Sequence, residues 1–377
     1  SNLREDRLYH AYNLIRVEGE RIILRRLYEM LEGQVAVLSS GYLKPVDALN
    51  LLDALKNSAL FREDQYSYIL YPDRLLPAFL ERTNIPEGEV KHSALLQLLL
   101  QGSDKRIIVR DINGDCHFHS DFRNAGLLEK ALDSLPEEYA PLVEEERILI
   151  LDIYEKLFDH QSFTGRSGTF YGYEGLGSIY WHMVSKLLLA VNENYYRAAE
   201  SGVSQEILGR LAEHYYEIRA GIGLNKAPEV YGAFPTDPYS HTPRNRGAQQ
   251  PGMTGQVKED IIARWGELGV QVREGRIQFL PILLRRAEFL SVPAKFHYQD
   301  LMGEERSLQL EKDSLAFTYC QLPVIYQLSE EQKIQVLFRN GTKQEIQDNS
   351  IDQELSLMIT DRSGEVLQVD VWLWPSL

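Results

Sequence analysis

Apolar residues recur at intervals of three and four over most of the first 269 positions. This period places them on one face of a helix, so it predicts a mainly α-helical part. Gly41 and Pro45 stand where one predicted helix stops and the next begins. Helix pairs of similar length fit a complete or partial (α/α) toroid. The predicted helices cover residues 7–17, 25–41, 45–61, 93–102, 124–135, 141–160, 174–199, 204–223 and 254–270.

From Val270 onward, apolar and polar residues alternate with a period of two, which is the spacing of β-strands. Turn sequences separate the alternating runs at Glu274-Gly275, Asn340-Gly341 and Ser363-Gly364. Several short strands at this spacing are typical of an antiparallel sandwich or jelly roll. We therefore expect a mainly α protein with a helical toroid domain over residues 1–269 and an antiparallel β-sandwich domain over residues 270–377.

Residues 106–122 interrupt the helical pattern with two strand-like runs around Asn113-Gly114, which predicts a hairpin with a type I′ turn. The second run contains Cys116, His117, His119 and Asp121, and positions 117, 119 and 121 share one face of a strand. A metal site would normally need a second cluster with ligand spacing. No such cluster is visible, so we expect a histidine pair that faces solvent or the sheet, and no metal.

The chain has 40 Lys and Arg against 55 Asp and Glu, which gives a net charge of −15. This charge disfavours nucleic acid and anionic membranes as partners, because both need a basic protein surface. It is compatible with a small anion that a few local arginines hold. The sequence has no run of 18 apolar residues, so we expect no membrane span.

Cys116 and Cys320 stand far apart, so neither a disulfide framework nor a CxxC metal motif is available. We expect a cytoplasmic protein, although a cysteine-poor secreted protein would look the same. The chain begins at Ser1 without Met, and its start lacks the apolar region of a signal peptide. We therefore expect a missing N-terminal part of the same protein as a partner of this chain.

Two segments, 163–182 and 221–255, are rich in glycine, aromatic and polar residues. Long loops are uncommon in compact domains and are usually functional or disordered, and the aromatics and prolines argue against disorder. We interpret these segments as the floor of a polar pocket that suits a sugar. The 21 tyrosines fit a sugar as well, since tyrosine has an apolar face and a hydroxyl, but packing at the edge of a core explains them equally.

Three features resemble the six-hairpin carbohydrate-active enzymes with an (α/α)6 barrel, above all the inverting glycoside phosphorylases of the cellobiose phosphorylase type. Residues 32–41, EGQVAVLSSG, resemble a barrel helix of that family with a Gly-Gln-x-x-x-x-Ser-Gly run. Residues 251–281 are similar to its last barrel helix, which a Thr-Gly pair opens, and to the strand that follows it. The change to alternating strands after Val270 follows the same order. Over residues 25–377 the resemblance implies a toroid, a β-domain and glycosidic-bond chemistry.

The chain also departs from that family. The Asp-rich motif with Trp and Asn that carries the general acid is absent from the sequence, and so is the N-terminal β-sandwich domain. Either these parts lie upstream of Ser1, or the chain is a divergent branch with different chemistry.

Thr254 and Gly255 open a predicted helix, where free backbone N–H groups and the helix dipole favour an anion. In the resembled phosphorylases the matching pair contacts phosphate together with a histidine. The resemblance therefore implies inorganic phosphate as a co-substrate, and the predicted phosphate-binding residues are His241, Arg246, Thr254 and Gly255. The simpler interpretation is that Thr254 is an N-cap.

Glycoside cleavage needs two carboxyl groups, or one acid with phosphate as the nucleophile. Glu174 is the first candidate because it follows Tyr171-Gly172-Tyr173 at the start of a predicted helix, where it could equally stabilise the helix dipole. Asp237 is the second candidate, and as it lies between two prolines it could be only a turn residue. If the resemblance holds, Glu32 would line the barrel axis.

Further side chains near these acids could bind the substrate. Trp181 lies seven residues after Glu174 on the same predicted helix, so the two would share a face, with core packing as the alternative for Trp181. The predicted substrate-binding residues are Arg166, Tyr171, Tyr173, Trp181, His182, Glu229, Tyr239, Arg244 and Gln250.

These observations favour a carbohydrate-active protein that cleaves or phosphorolyses a glycosidic bond in an oligo- or polysaccharide, with Glu174 or Asp237 as acid or base. A non-catalytic carbohydrate-binding or scaffold part of a larger enzyme is the alternative. A polysaccharide lyase on a similar toroid is a third possibility, with Tyr239, His241 and Arg244 as base and uronate partner.

Overall fold

The computed structural model of the protein describes residues 2–11, 13–19, 21–26, 29–72, 83–158, 179–222, 241–242 and 256–374. The buried apolar side chains of these residues form three separate cores. The first core combines residues 8–71 with residues 179–283, the second lies within residues 85–158, and the third lies within residues 268–373. The second unit is thus inserted between two parts of the first.

Helices dominate the first two units. The described helices are α1 (Leu31–Ser39), α2 (Pro45–Lys56), α3 (Glu87–His92), α4 (Ala94–Gln101), α5 (Ala125–Asp133), α6 (Ala140–Phe158), α7 (Trp181–Glu200), α8 (Gln205–Gly221), α9 (Gln256–Glu267) and α10 (Gln353–Thr360). Within these helices, no segment is both long and apolar enough to cross a lipid bilayer.

Nine of the eighteen described strands follow α9. The described strands are β1 (Asn13–Glu18), β2 (Arg21–Arg26), β3 (Phe61–Arg62), β4 (Ser67–Tyr68), β5 (Asn84–Ile85), β6 (Ile108–Arg110), β7 (Cys116–Phe118), β8 (Ile179–Tyr180), β9 (His241–Thr242), β10 (Val270–Arg273), β11 (Arg276–Phe279), β12 (Ala294–Gln299), β13 (Glu305–Leu310), β14 (Ser314–Tyr319), β15 (Leu322–Leu328), β16 (Lys333–Phe338), β17 (Lys343–Ile346) and β18 (Val366–Leu373). Strands β10–β18 confirm the strands predicted from Val270 onward.

The first described residues differ from the sequence prediction. Strand β1 pairs antiparallel with β2 to form a hairpin, whereas helices were predicted over 7–17 and from residue 25. β-branched residues such as Ile15, Val17 and Ile22 favour a strand over a helix. Gly19 adopts a φ of +58° in the turn, a conformation that glycine reaches without steric cost.

Helix α7 is the centre of the first unit and contacts α1, α2, α8 and α9. It runs in the same direction as α9. His182 lies beside Glu259 near the two helix starts, and the Tyr196 hydroxyl donates to the Gly266 carbonyl near the two ends. The two helices therefore begin at the same end of the unit.

Helices α2 and α8 also share a direction. Arg210 donates to Asp53, and one to two turns further on Lys56 donates to Glu217. The short connection 201–204 reverses the chain between α7 and α8. The first unit thus has two sets of helices that run in opposite directions.

The second unit contains the hairpin predicted from residues 106–122. Strands β6 and β7 pair antiparallel with Arg110 opposite Cys116, which confirms the hairpin. The turn type is wrong, because a type I′ turn needs a positive φ at both central residues and only Gly114 has one. Instead, Asp111 Oδ1 accepts hydrogen bonds from the backbone N–H groups of Asn113 and Asp115 at 2.9 and 2.8 Å.

Glu146 on α6 anchors the start of α4 within this unit. Its carboxylate accepts hydrogen bonds from Ser93 Oγ at 2.6 Å and from the backbone N–H groups of Ala94 and Leu95 at 2.8 and 3.0 Å. These N–H groups have no partner inside the helix, and the helix dipole favours a negative charge there. Glu146 therefore ties α4 and α6 together across the second core.

The third unit contains a five-stranded sheet in the order β14–β15–β18–β16–β17. Neighbouring strands are antiparallel except β15 and β18, which are parallel. Helix α10 precedes β18 and buries Leu355 and Ile359 in the third core. The N-cap Asp352 accepts the N–H of Leu355 at 2.9 Å and fixes the start of α10.

Tyrosine hydroxyls hold the link 280–283, which follows β11, against the first unit. Tyr195 donates to the carbonyl of Ile282, Tyr196 to that of Leu280, and Tyr216 to that of Leu283. From the third unit, Tyr326 donates to the Leu268 carbonyl at 2.7 Å. These tyrosines are buried, so part of the tyrosine excess serves packing at the edges of cores.

A buried carboxylate reinforces this connection. Glu267, at the end of α9, is fully buried and accepts hydrogen bonds from Tyr215, Tyr216 and Arg219, while Arg264 lies 2.8 Å away. Burial raises the pKa of Glu267, and the positive charges of the two arginines oppose that rise. Removal of one partner from a buried ion pair typically costs about 3–5 kcal/mol, so this cluster holds α8 and α9 firmly together.

Gly269 tests the packing at this connection. We expect Gly269→Ala to lower the free energy of unfolding by about 3 kcal/mol, because the new Cβ would lie 2.2 Å from the backbone of Leu280 and Pro281 and φ is +74°. Gly275→Ala is the matched control, since Gly275 has the same φ of +74° with no atom closer than 3.7 Å. It should cost only about 1–2 kcal/mol. Equal losses in urea unfolding would contradict the close approach.

Glu146 gives a second test. We expect Glu146→Gln to destabilise the second unit by about 2 kcal/mol, because a neutral amide binds helix N–H groups less strongly than a carboxylate. Glu145→Gln on the same helix is the control, as Glu145 is exposed. Hydrogen exchange of the amides of α4 reports the effect locally. Unchanged protection in Glu146→Gln would show that the carboxylate does not anchor α4.

Candidate functional site

Most of the residues predicted for the site lie outside the described ranges. These are Arg166, Tyr171, Tyr173, Glu174, Glu229, Asp237, Tyr239, Arg244, Arg246, Gln250, Thr254 and Gly255. The structure describes Trp181 and His182 in full, and it describes the backbone of His241. The site can therefore be built from the ends of the two predicted segments.

These two segments meet in space. Strand β8 pairs antiparallel with β9, so that Ile179 lies opposite Thr242 and Tyr180 lies opposite His241. The predicted pocket requires that residues 163–182 and 221–255 come together. The β8–β9 pair satisfies this requirement at one point of each segment.

Helix α7 begins later than predicted. The pattern placed its start at Glu174, whereas Ile179 and Tyr180 are extended and the helix starts at Trp181. The shared helical face proposed for Glu174 and Trp181 is therefore wrong, because β8 breaks the helix between them. Trp181 itself is fully buried in the first core, which favours packing for this indole.

His182 and Glu259 connect the first turns of α7 and α9. Nε2 of His182 lies 3.5 Å from Oε1 of Glu259, and the two side chains are only 16% and 8% exposed. Nδ1 of His182 lies 3.5 Å from the Tyr180 hydroxyl, and the two rings meet edge to face. A tyrosine, a histidine and a carboxylate thus form a row beside β9, whose residue His241 pairs with Tyr180.

The electrostatics of this end favour polar ligands. Helix α9 begins at Gln256, directly after the Thr254-Gly255 pair that was predicted to open it. Glu259 already places a negative charge in the first turn, where the helix dipole favours it. Lys258 Nζ lies 3.6 Å from the same carboxylate. A second anion here would need further positive charge, whereas a ligand hydroxyl could donate to Glu259 directly.

Glu259 and Tyr180 are the two residues of this row that the sequence did not indicate. In the sequence, Glu259 has the position of an ordinary acid in the first turn of a helix, and nothing distinguishes Tyr180 from the other tyrosines among the 21. The contact between His182 and Glu259 joins positions 77 residues apart, which no local spacing encodes. The Thr-Gly pair was the nearest usable signal, since it marks the start of α9.

The Gly-Gln motif in α1 has a structural role. Gln34 is fully buried, and its amide both accepts from the Tyr9 N–H and donates to the Tyr9 carbonyl, each at 2.8 Å. A Cβ on Gly33 would lie 2.7 Å from the Cβ of Ala11, so glycine lets residues 9–11 approach the helix. Glu32 is half-buried in the first turn of α1.

The residues considered for a metal are separated by their local contacts. His117 Nδ1 lies 3.1 Å from the Thr83 carbonyl, and its Nε2 lies 3.4 Å from Asp111. His119 follows the end of β7 and lies 3.7 Å from Asp121. Across the described ranges, no group of three or more His, Cys, Asp or Glu residues is arranged to hold a metal ion.

A protein-family model matches part of the chain. Residues 76–161 match the GH149 phosphorylase insertion domain 2. The match relates this chain to glycoside phosphorylases. It coincides with the second unit, whose core lies within residues 85–158 and which interrupts the first unit as an insertion would. A search of curated proteins found no match.

The relation to glycoside phosphorylases supports a carbohydrate-active function. The match concerns neither the cellobiose phosphorylase type nor the (α/α)6 barrel, and it does not include the row of Tyr180, His182 and Glu259. The chemistry of the site therefore has to be argued from its own geometry.

A double-mutant cycle tests the geometry of the row. We expect His182→Ala and Glu259→Gln to show a coupling of about 1 kcal/mol in urea unfolding, because residues in contact are not additive. The control cycle pairs His182→Ala with Glu213→Gln, a substitution on α8 outside the row. Additivity within about 0.3 kcal/mol in the first cycle would mean that the two side chains do not interact.

Proposed function

We propose that this chain cleaves or phosphorolyses a glycosidic bond in an oligo- or polysaccharide, as part of a protein related to glycoside phosphorylases. The observation that carries the proposal is the contact between His182 and Glu259 beside the β8–β9 pair. It brings the starts of two parallel helices and the two glycine- and aromatic-rich segments to one end of the first unit. The inserted phosphorylase-type domain supports the substrate class.

The architecture of the proposal is a helical toroid followed by a β-sandwich. The two sets of helices of opposite direction support the toroid, with α1, α7 and α9 as inner helices and α2 and α8 as outer ones. In such an arrangement the inner helices begin at one end, where the connecting segments form the pocket. The third unit, with its five-stranded sheet, takes the place of the sandwich.

In the proposed site, Glu174 or Asp237 acts as the acid or base, and His241, Arg246, Thr254 and Gly255 hold phosphate. His182 contacts the substrate, and Glu259 positions its imidazole, since a carboxylate that accepts from one ring nitrogen fixes the orientation of the other. The remaining predicted residues contact sugar hydroxyls. Phosphate is the proposed co-substrate. Its binding requires the attraction of His241, Arg246 and the start of α9 to exceed the repulsion from the Glu259 carboxylate.

The charge of Glu259 also favours a second candidate function. A buried carboxylate at the helix start opposes a phosphate anion and suits a sugar hydroxyl. On this view the chain binds or hydrolyses sugar without phosphate. It could then be a non-catalytic carbohydrate-binding part of a larger enzyme whose general acid lies upstream.

Ligand-induced stabilisation separates these functions. We expect phosphate, a mono- and disaccharide panel, or both to raise the thermal midpoint, because binding to the native state stabilises it. His182→Ala, His241→Ala and Thr254→Val should reduce the shift, and His297→Ala, an exposed histidine on β12, should retain it. If no ligand shifts the midpoint, or His297→Ala loses the shift as well, the proposed site is wrong.

Product analysis then identifies the reaction. A panel of oligosaccharides is incubated with the chain, with and without phosphate. Phosphate-dependent release of a sugar 1-phosphate would support phosphorolysis, and release of reducing sugar without phosphate would support hydrolysis. Binding without either product would favour the non-catalytic function. Asp237→Asn and Glu174→Gln should each be compared with wild type, and the acid or base should lose at least about 100-fold in rate.

A further inference from the structure

A cleft of about 830 Å³ opens between the first unit and the five-stranded sheet. One wall comes from the last turns of α7, the start of α8 and the link after β11, and the other comes from β16, β18 and residues 347–349. Its volume falls within the range of ligand sites, and such sites often lie where two units meet. The cleft begins at Tyr195, about 20 Å along α7 from His182, so it is separate from the proposed active site.

Two indoles line one wall of the cleft. Trp372 is the last residue but one of β18 and Trp374 directly follows the strand, and both line the cleft. The intervening Leu373 and the preceding Val371 are buried in the third core, which turns the indoles away from it. Trp374 is 49% exposed. An exposed indole offers a flat apolar face and an N–H donor to a ligand.

Four primary amides face the same space. The side chains of Gln205, Gln332, Gln347 and Asn349 line the cleft, are exposed, and make no side-chain hydrogen bond to another described residue. An amide both donates and accepts, so it matches a hydroxyl, which also does both. Amides beside an indole therefore suit a ligand with many hydroxyls and apolar ring faces.

The charged groups of the cleft are already paired. Lys333 lies 3.2 Å from Glu345, and its Nζ lies 5.1 Å from the centre of the Trp372 ring. Asp348 lies 3.7 Å from the guanidinium of Arg276 and accepts from the Ser350 hydroxyl at 3.1 Å. With these charges paired, the cleft favours an uncharged ligand over a polyanion or a metal ion.

We propose that this cleft binds a neutral glycan chain through Trp374 and the four amides, at a site separate from the one where the glycosidic bond reacts. The binding does not require the proposed function to be correct, because it depends only on the cleft. If both hold, the cleft would keep a long substrate attached between reaction cycles.

Affinity electrophoresis of the full chain tests the proposal. Native gels contain one soluble neutral glycan each: a β-1,3-glucan, a mixed-linkage β-glucan, a hydroxyethyl cellulose, a xylan or a soluble starch. We expect at least one of them to retard the protein, and Trp374→Ala to weaken that retardation about tenfold in apparent Kd. Trp265→Ala is the matched control, because Trp265 is similarly exposed at 43% but lies on α9 away from this cleft.

A second variant guards against a folding defect. The double substitution Gln347→Ala and Asn349→Ala removes two exposed amides and should also weaken retardation, with circular dichroism and the thermal midpoint unchanged. His182→Ala should keep full retardation, which separates this cleft from the proposed active site. The proposal is overturned if no glycan retards the wild type, if Trp265→Ala and Trp374→Ala lose retardation equally, or if His182→Ala alone abolishes it.

Discussion

The buried carboxylate of Glu267 is the interaction on which the arrangement of the units depends. It ends α9 inside a shell of two tyrosine hydroxyls from α8 and two arginines, next to the link that leads into the third unit. An isolated charge at such a depth would be strongly unfavourable, so the carboxylate is stable only while all these elements meet. The cluster thus couples the position of α9 to that of α8. Because the same arginines also pair with Glu288, it extends to the segment that precedes β12.

The Glu267 cluster also determines the relative positions of His182 and Glu259 in the candidate site. Glu259 lies two turns before Glu267 on the same helix, and a helix of twelve residues transmits position along its axis without bending much. At the far end, Tyr196 holds the Gly266 carbonyl to α7 at 2.6 Å. With one end of the α7–α9 pair fixed, His182 and Glu259 are brought together at the other. The end of the α7–α9 pair that contains His182 and Glu259 can therefore connect to long polar segments, because the Glu267 cluster stabilises the pair at its opposite end.

The sequence predicted those elements whose signal is local. The period-two runs after Val270 became strands, and helix α2 begins at Pro45 as expected. Two errors are local, since the β1–β2 hairpin and the turn at Asp111 form between neighbouring residues. Other features were missed because a partner distant in sequence decides the structure. Residues 179–180 are extended because they pair with β9, so α7 starts at Trp181. The parallel pairing of β15 with β18 and the contact of His182 with Glu259 likewise depend on chain crossings that no spacing encodes. The glycine–glutamine motif was visible, but its role in holding Tyr9 was not.

The relation to glycoside phosphorylases and the candidate site lie in different parts of the molecule. The matched residues form a core of their own, and Glu146 stabilises that core without help from the other units. The chain leaves the first unit after β4 and returns at β8, the strand that sets the start of α7. An insertion at this point places a separate domain directly before one of the two segments that meet at the site. The insertion is therefore connected to the site by its position in the chain. The inserted unit and the first unit can change in sequence independently, because each has its own core that keeps it folded.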